Sequence, residues 1–321
     1  MNRRDFLKLG GIAGLAALTP LELFHKFNLG EWWEAPADAA IFPVNKKTIW
    51  TARLNTGMPD LYSLYGMVPV PQLLRNTVAG WTDPLAEPDA TWHQSFAANI
   101  VARNLPVKTI HFDHEDWPVS TQGERVATAT KFANFARTFK TNLPGYKIGF
   151  YAYPLVTYTA PTALPGSANY TTMQTKNEDF AETYSVVDIL CPTVYFYYTR
   201  FTAPLYKNDF ILPYFFIINI LEQRRLAKKY GLNQPIYPYV WEREATTFTP
   251  LDLDTYELMC RLSYQYADGM TIWGGFFDLS GTQAQQTWAQ DTGTGIQGAW
   301  WNNLLFPMIS AGRFWNQAVA G

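Results

Sequence analysis

The sequence predicts an α/β fold: a single TIM-like (β/α) barrel of seven or eight strands, distorted from the regular form. Three observations carry that expectation. Short continuous apolar runs alternate with stretches of helical periodicity, the pattern of a parallel sheet buried under helices. Seven such runs occur and none opens into a Gly-rich dinucleotide fingerprint, which favours a closed barrel over an open doubly wound sheet. With an N-terminal export segment set aside, about 280 of the 321 residues remain, near the roughly 250 of one such barrel.

Residues 47–53 (KTIWTAR) read as the first strand. Residues 55–89 are rich in Pro and Gly and hold no clear helix; they read as a second strand near 65–69 with long loops. Asp89 caps a helix that runs to about Asn104 and is stopped by Pro106. Residues 108–112 form a strand. Residues 124–142 form a helix with an apolar face of Val126, Ala129, Phe132, Ala133, Ala136 and Phe139, at three- and four-residue spacing. Pro144 and Gly145 end it. Residues 147–153 are a strand, 172–184 a weak helix, and 187–196 (VDILCPTVYF) the most apolar strand. A long helix over 209–230 ends at Gly231. Residues 235–240 then read as strand, 252–266 as helix and 270–276 as strand, with a helical stretch around 299–309.

The chain begins MNRRDFLK, followed by a Gly- and Ala-rich run from Leu9 to Leu18 that Pro20 breaks. This reads as a twin-arginine signal peptide: a basic n-region and an apolar h-region too short for the roughly 20 residues of a membrane helix. Ala35-Pro36-Ala37 and Ala37-Asp38-Ala39 both offer small residues at the spacing of a cleavage site. The expected division is residues 1–40 as signal and linker and 41–321 as the barrel. The expected location is the periplasm or the outside of the cell, with the twin-arginine export machinery as a partner and no stable membrane span in the mature chain.

Composition narrows the function. Twenty-five Lys+Arg against 27 Asp+Glu give no basic excess of the kind nucleic acid demands. Aromatic residues reach 16%, with 12 Trp and 19 Tyr. Each Trp or Tyr brings a polar atom that needs a partner when buried, so this many exceed what a core needs; sugar-binding clefts use such rings as stacking platforms. Cys191 lies in an apolar strand and Cys260 in a helical pattern, and both read as buried free thiols. No Cys/His spacing suggests zinc, and no cofactor is expected.

The chemistry centres on His111-Phe112-Asp113-His114-Glu115-Asp116-Trp117-Pro118. Alternation along a strand places His111, Asp113 and Glu115 on one face. The C-terminal ends of barrel strands are where such folds carry active sites. Two carboxylates held close cannot both ionise cheaply, so one pKa rises. The protonated acid can donate to a glycosidic oxygen while its ionised neighbour stabilises developing positive charge. Asp-x-Glu is common in loops as an acidic helix cap; its place after an apolar strand, with Trp just beyond, singles it out. A metal-dependent hydrolase using His111, Asp113 and Glu115 is one alternative, although barrel metal sites draw His from several strands rather than one.

Residues 110–118 (IHFDHEDWP) resemble the hyaluronidase family motif of an apolar strand, Asp-x-Glu, an acidic residue and Trp. Four more pieces follow in the family's order: 149–154 (GFYAYP), 192–195 (PTVY), 235–243 (PIYPYVWER) and 272–274 (IWG). The resemblance implies a glycoside hydrolase that cleaves an N-acetylhexosamine-containing polysaccharide by a substrate-assisted, retaining mechanism. It implies Glu115 as general acid/base. Asp113 would position and stabilise the N-acetyl group that attacks the anomeric carbon. Tyr195 and Tyr239 match tyrosines that hydrogen-bond that group and the sugar, and Trp273 matches a pocket wall. Tyr151 and Trp241 are further candidate substrate contacts. This chemistry is an exception to the usual carboxylate-separation rule, and it suits two acids on one strand. Two features depart from the family: two cysteines cannot make its multiple disulfides, and His114 stands where it has an aromatic or similarly bulky residue. The second alternative is a carbohydrate-binding barrel that does not cut; the presence of both acids speaks against it.

Overall fold

The computed structural model describes residues 48–51, 68–152, 167–195, 211–241, 251, 256, 259–260, 262–263 and 266–273. The strands are β1 (Thr48–Thr51), β2 (Val68–Pro69), β3 (Gln72–Leu74), β4 (Thr109–Asp113), β5 (Lys147–Tyr151), β6 (Ile189–Cys191), β7 (Tyr239–Trp241) and β8 (Gly269–Trp273). The α-helices are α1 (Ala90–Ala102), α2 (Gln122–Asn142), α3 (Ala168–Glu178), α4 (Ala181–Tyr184) and α5 (Ile211–Lys229). The expected signal peptide, the C-terminal helix at 299–309 and strand positions 274–276 lie outside the described residues. So does much of the helix expected at 252–266; Tyr256, Met259, Cys260, Leu262, Ser263 and Tyr266 from it are helical. Among the described residues no helix is long and apolar enough to cross a membrane.

Every strand pairing is parallel. Two four-stranded ladders run β2-β1-β8-β7 and β3-β4-β5-β6. They join between β6 and β7 through bridges Leu190↔Ile236 and Thr193↔Tyr239, where Tyr237 N–H donates to Leu190 O at 2.9 Å and Tyr239 N–H to Pro192 O at 2.8 Å. They join again because β2 and β3 are halves of one stretch. Val68–Pro69 pairs with β1, the chain steps across Val70-Pro71, and Gln72–Leu74 pairs with β4. Pro69 and Pro71 have no N–H to give a ladder, which is why the stretch changes partners. Pro71 still accepts from His111 N–H at 3.0 Å. The ring therefore closes through seven staves, a distorted (β/α) barrel.

Proline also explains where other strands are shorter than their apolar runs. The 187–196 run is ladder only over Ile189–Cys191, because Pro192 interrupts it and pairing resumes as the bridge at Thr193. Pro235 and Pro238 delay β7 until Tyr239. The second strand, expected near 65–69, is present at Val68–Pro69 and continues beyond it as Gln72–Leu74; residues 65–67 lie outside the described set. The weak helix of 172–184 starts sooner, at Ala168, where Ser167 accepts from Tyr170 N–H at 3.1 Å. It then breaks between α3 and α4.

The core has two layers. Ile110, Phe112, Ile148, Phe150, Leu190, Val240, Met270 and Ile272 belong to the outer layer between sheet and helices, where Phe112 and Phe150 meet Phe132 and Phe135 of α2. Their neighbours in sequence, Tyr151, Ile189, Cys191, Tyr239 and Trp241, fill the barrel interior with Val70 and Tyr195. Each large apolar side chain so buried contributes about 1.5–3 kcal/mol. Phe112 is fully buried and stacks on Phe135 at 4.2 Å.

Helix α2 corrects one expectation. Val126 is 48% exposed, while Arg125 and Phe135 are buried. The buried stripe runs through 125, 128–129, 132, 135–136 and 139, the seven-residue return of a helix, so Val126 falls just off it. Arg125 tolerates burial because two of its guanidinium nitrogens are engaged. Its Nε donates to Asp179 at 2.8 Å, and its Nη1 to the carbonyls of Ser120 at 2.9 Å and Val119 at 3.3 Å. Thr121 and Glu124 cap the helix start reciprocally. These contacts, with Thr128 Oγ1 donating to Pro118 O at 2.7 Å, pin the loop that leads out of β4.

Candidate active site

Asp113 is the last residue of β4, at the C-terminal mouth of the barrel. The chain beyond it keeps a strand-like alternation although the ladder has ended. His114 turns back into the helix layer, 3% exposed, its ring stacked on Trp81 at 4.6 Å and edge-on to Trp117 at 4.5 Å. Its Nε2 lies 3.0 Å from Pro84 O. Trp117 is also buried, against Phe132. Glu115 and Asp116 are exposed at the rim, and Asp116 meets Arg75 at 3.5 Å. The two candidate acids thus project from a segment held by buried rings on its opposite side.

The two carboxyls are electrostatically unequal. Burial raises the Asp113 pKa from 3.8 to about 7; the charge of Glu115 adds to the rise and a hydrogen bond from Gln72 opposes it. Desolvation of its carboxyl by the surrounding protein, followed by Asp116, also raises the Glu115 pKa, although the residue stands at the rim. The sequence placed the raised pKa on Glu115 and left Asp113 ionised. Asp113 is itself pushed toward the protonated form, because it sits inside the mouth while Glu115 stands at the rim.

Gln72 was not among the residues singled out in the sequence. Its Nε2 donates to Asp113 Oδ2 at 2.7 Å, from β3, paired in parallel beside β4. A polar residue on the inner face of the stave beside β4 is the signal that could have found it, but the two prolines hid that stave. Ala152 is the other unforeseen feature. It follows Tyr151 with a left-handed φ of 63° and donates its N–H to Cys191 O at 3.1 Å. An L-residue in that conformation costs about 1–2 kcal/mol.

The five aromatic candidates come together. Tyr151, Tyr195, Tyr239 and Trp241 form one cluster with Trp273 packed against it. Ring centroids lie 4.9 Å apart for Tyr151–Tyr239, 5.6 Å for Tyr195–Trp273 and 4.6 Å for Trp241–Trp273. Tyr239 is wholly buried and electrostatically coupled to Asp113. Trp273 is the more open of the rings. Cys191 is a buried free thiol, and Cys260 is also buried.

The alternative of a metal centre gains nothing from this arrangement. Nδ1 of His111 lies 2.6 Å from Tyr239 Oη. Among the described residues no three His, Cys, Asp or Glu side chains converge as a metal site.

No family model matches the chain, and no curated protein matches it. Solved structures do. Bee venom hyaluronidase aligns with a TM-score of 0.54 at 14% identity, over 78% of this chain and 98% of that one. Bee venom hyaluronidase in complex with a hyaluronic acid tetramer aligns at 0.41 and 18% identity, over 72% of this chain and 68% of that one. A GH18 chitinase from Pseudoalteromonas aurantia aligns at 0.40 and 16% identity, over 70% of this chain and 76% of that one. The first of these supports the fold: a TIM-type barrel shared along nearly the whole length of that enzyme.

Proposed function

We propose that this protein is an exported glycoside hydrolase that cleaves an N-acetylhexosamine-containing polysaccharide with retention, using the substrate's own acetamido group as nucleophile. The observation that carries the proposal is the pairing of Asp113 and Glu115, both with raised pKa, at the C-terminal mouth beside a pocket of Tyr and Trp rings. The motif and its order along the chain, the barrel shared with a hyaluronidase, and the twin-arginine pattern at the N-terminus support the same reading.

In this mechanism the carboxyl pair supplies one proton. Glu115 delivers it to the glycosidic oxygen as the acetamido oxygen attacks the anomeric carbon and the C–O bond breaks. The resulting cyclic ion carries positive charge on nitrogen. Asp113, as carboxylate, accepts its N–H and stabilises that charge as it develops. The Gln72 hydrogen bond favours the carboxylate form of Asp113, so engagement of the acetamido N–H leaves the shared proton on Glu115. Water then gives a proton back to Glu115 and adds to the anomeric carbon, and the ring of the cyclic ion reopens. Tyr239 and Tyr195 hydrogen-bond the acetamido group and sugar. Tyr151, Trp241 and Trp273 wall the pocket.

Glu115→Gln tests the assignment. Loss of the acid should lower kcat by about 10²–10⁴-fold with KM and melting temperature little changed. A variant retaining more than half of the wild-type rate refutes Glu115 as the acid.

A further inference from the structure

The mechanism above uses Asp113, Glu115 and Tyr239 and gives no role to the fully buried imidazole of His111. His111 lies two residues before Asp113 on the inner face of β4, one layer deeper in the barrel, and is fully buried. Its Nδ1 is 2.6 Å from the Oη of Tyr239, 128 positions away on β7. Tyr239 is itself fully buried. Two polar side chains from opposite ladders therefore meet under the mouth in one short hydrogen bond.

We propose that His111 is a positioning residue: its Nδ1–H donates to Tyr239 Oη and so directs the phenolic proton toward the mouth. This rests on the proposed function for what the directed hydroxyl does. A phenol has one proton and can point it at the imidazole or at the pocket. A neutral imidazole can offer Nδ1 either as donor or as lone pair. The mouth carries the carboxyls of Asp113 and Glu115, and Asp113 acts electrostatically on this same hydroxyl. With Asp113 as the carboxylate that the mechanism requires, a phenolic lone pair facing it is repelled, whereas an O–H facing it is attracted. That preference selects the tautomer with hydrogen on Nδ1. Burial depresses the His111 pKa to about 3, so the ring stays neutral over the working range and the arrangement does not switch by protonation. The directed hydroxyl is then a ready donor to the acetamido or sugar oxygen, with no reorientation needed in the transition state.

Two experiments on the full chain test this. The first needs no substrate. Spectra of the protein with ¹⁵N-labelled histidine report which ring nitrogen carries the proton, and His111→Asn assigns the resonance. Protonation at Nδ1 is expected; protonation at Nε2 alone overturns the proposal whatever the enzyme acts on. The second uses kcat and KM on an N-acetylhexosaminide for His111→Leu, His111→Asn and His111→Gln, each alone and with Tyr239→Phe. Leu should lower kcat about tenfold or more with KM changed less than about threefold. Asn, whose amide nitrogen can take the place of Nδ1, should restore at least a third of the rate; Gln, which reaches toward Nε2, should not. With Tyr239→Phe already present, the Leu change should cost under about twofold, because the partner it acts through is gone. Equal losses in both backgrounds, or rescue by Gln and not Asn, overturn the proposal. If the Leu variant does not fold, the order of Asn and Gln decides. A wild-type protein that cleaves no N-acetylated substrate refutes the proposed function instead, leaving the tautomer result to stand or fall alone.

Discussion

Asp113 is held in a state that opposes folding at neutral pH. Its folded pKa of about 7 lies above its ordinary 3.8. Below about pH 4 both folded and unfolded chains carry the proton and the residue is neutral in its effect. As pH rises from there to 7, the unfolded chain has released a proton that the native site still holds, so stability falls, and it levels off above 7. Asp113→Asn removes this penalty while keeping an oxygen for Gln72. The melting temperature of the variant should therefore exceed wild type by several degrees at pH 7.5, at about 2–4 °C per kcal/mol, and converge on it near pH 4. Thermal unfolding at the two pH values checks this; equal destabilisation at both would refute the raised pKa. The same variant should lose activity nearly as severely as Glu115→Gln, since Asn supplies no charge to the cyclic ion. The two acids were legible in the sequence because strand alternation is local. Their relative pKa values were not, because burial depends on the depth of each group in the folded mouth. Gln72 was hidden for a related reason: its partnership with Asp113 spans 41 positions.

The elements were legible wherever an apolar period was uninterrupted. Asp89 caps α1 as expected, its side chain accepting from Trp92 N–H at 2.7 Å, and β4, β5 and β8 fall within a residue or two of their apolar runs at the start. Proline set the limits of the rest, shortening β6 and β7 and splitting one stave into β2 and β3. At β5 the packing is tight enough for a sharp prediction. A Cβ added to Gly149 would lie 2.7 Å from Cys191 Sγ and 3.1 Å from Ile189 O. The second contact is backbone in the paired strand and cannot swing away. Gly149→Ala should cost about 1–3 kcal/mol, and Cys191→Ala should recover only part of it, since it relieves the sulfur contact but not the carbonyl. Denaturant unfolding of the two single variants and the double checks this. A Gly149→Ala protein as stable as wild type would mean that β5 and β6 are not packed this closely.

At the scale of the whole molecule, closure of the ring makes the site. Asp113, Tyr151, Tyr239 and Trp273 come from four different strands, and only a closed parallel barrel brings those C-terminal ends around one mouth. The strand count and parallel order were readable as repeated apolar runs. The closing joint at 68–74 was not, because its two halves are too short and too proline-rich to show a period. A chemistry built from carboxyls and rings alone should be indifferent to chelation, so activity after dialysis against EDTA should match that before it; activity lost on dialysis and restored only by added metal would return the metal-dependent alternative. The central claim is that the substrate's acetamido group is the nucleophile. The measurement that tests it most directly is the wild-type rate on two glycosides with the same leaving group, one bearing a 2-acetamido and the other a 2-hydroxyl substituent. The account predicts cleavage of the first and a rate on the second lower by about 10²-fold or more. Comparable rates on the two would contradict it.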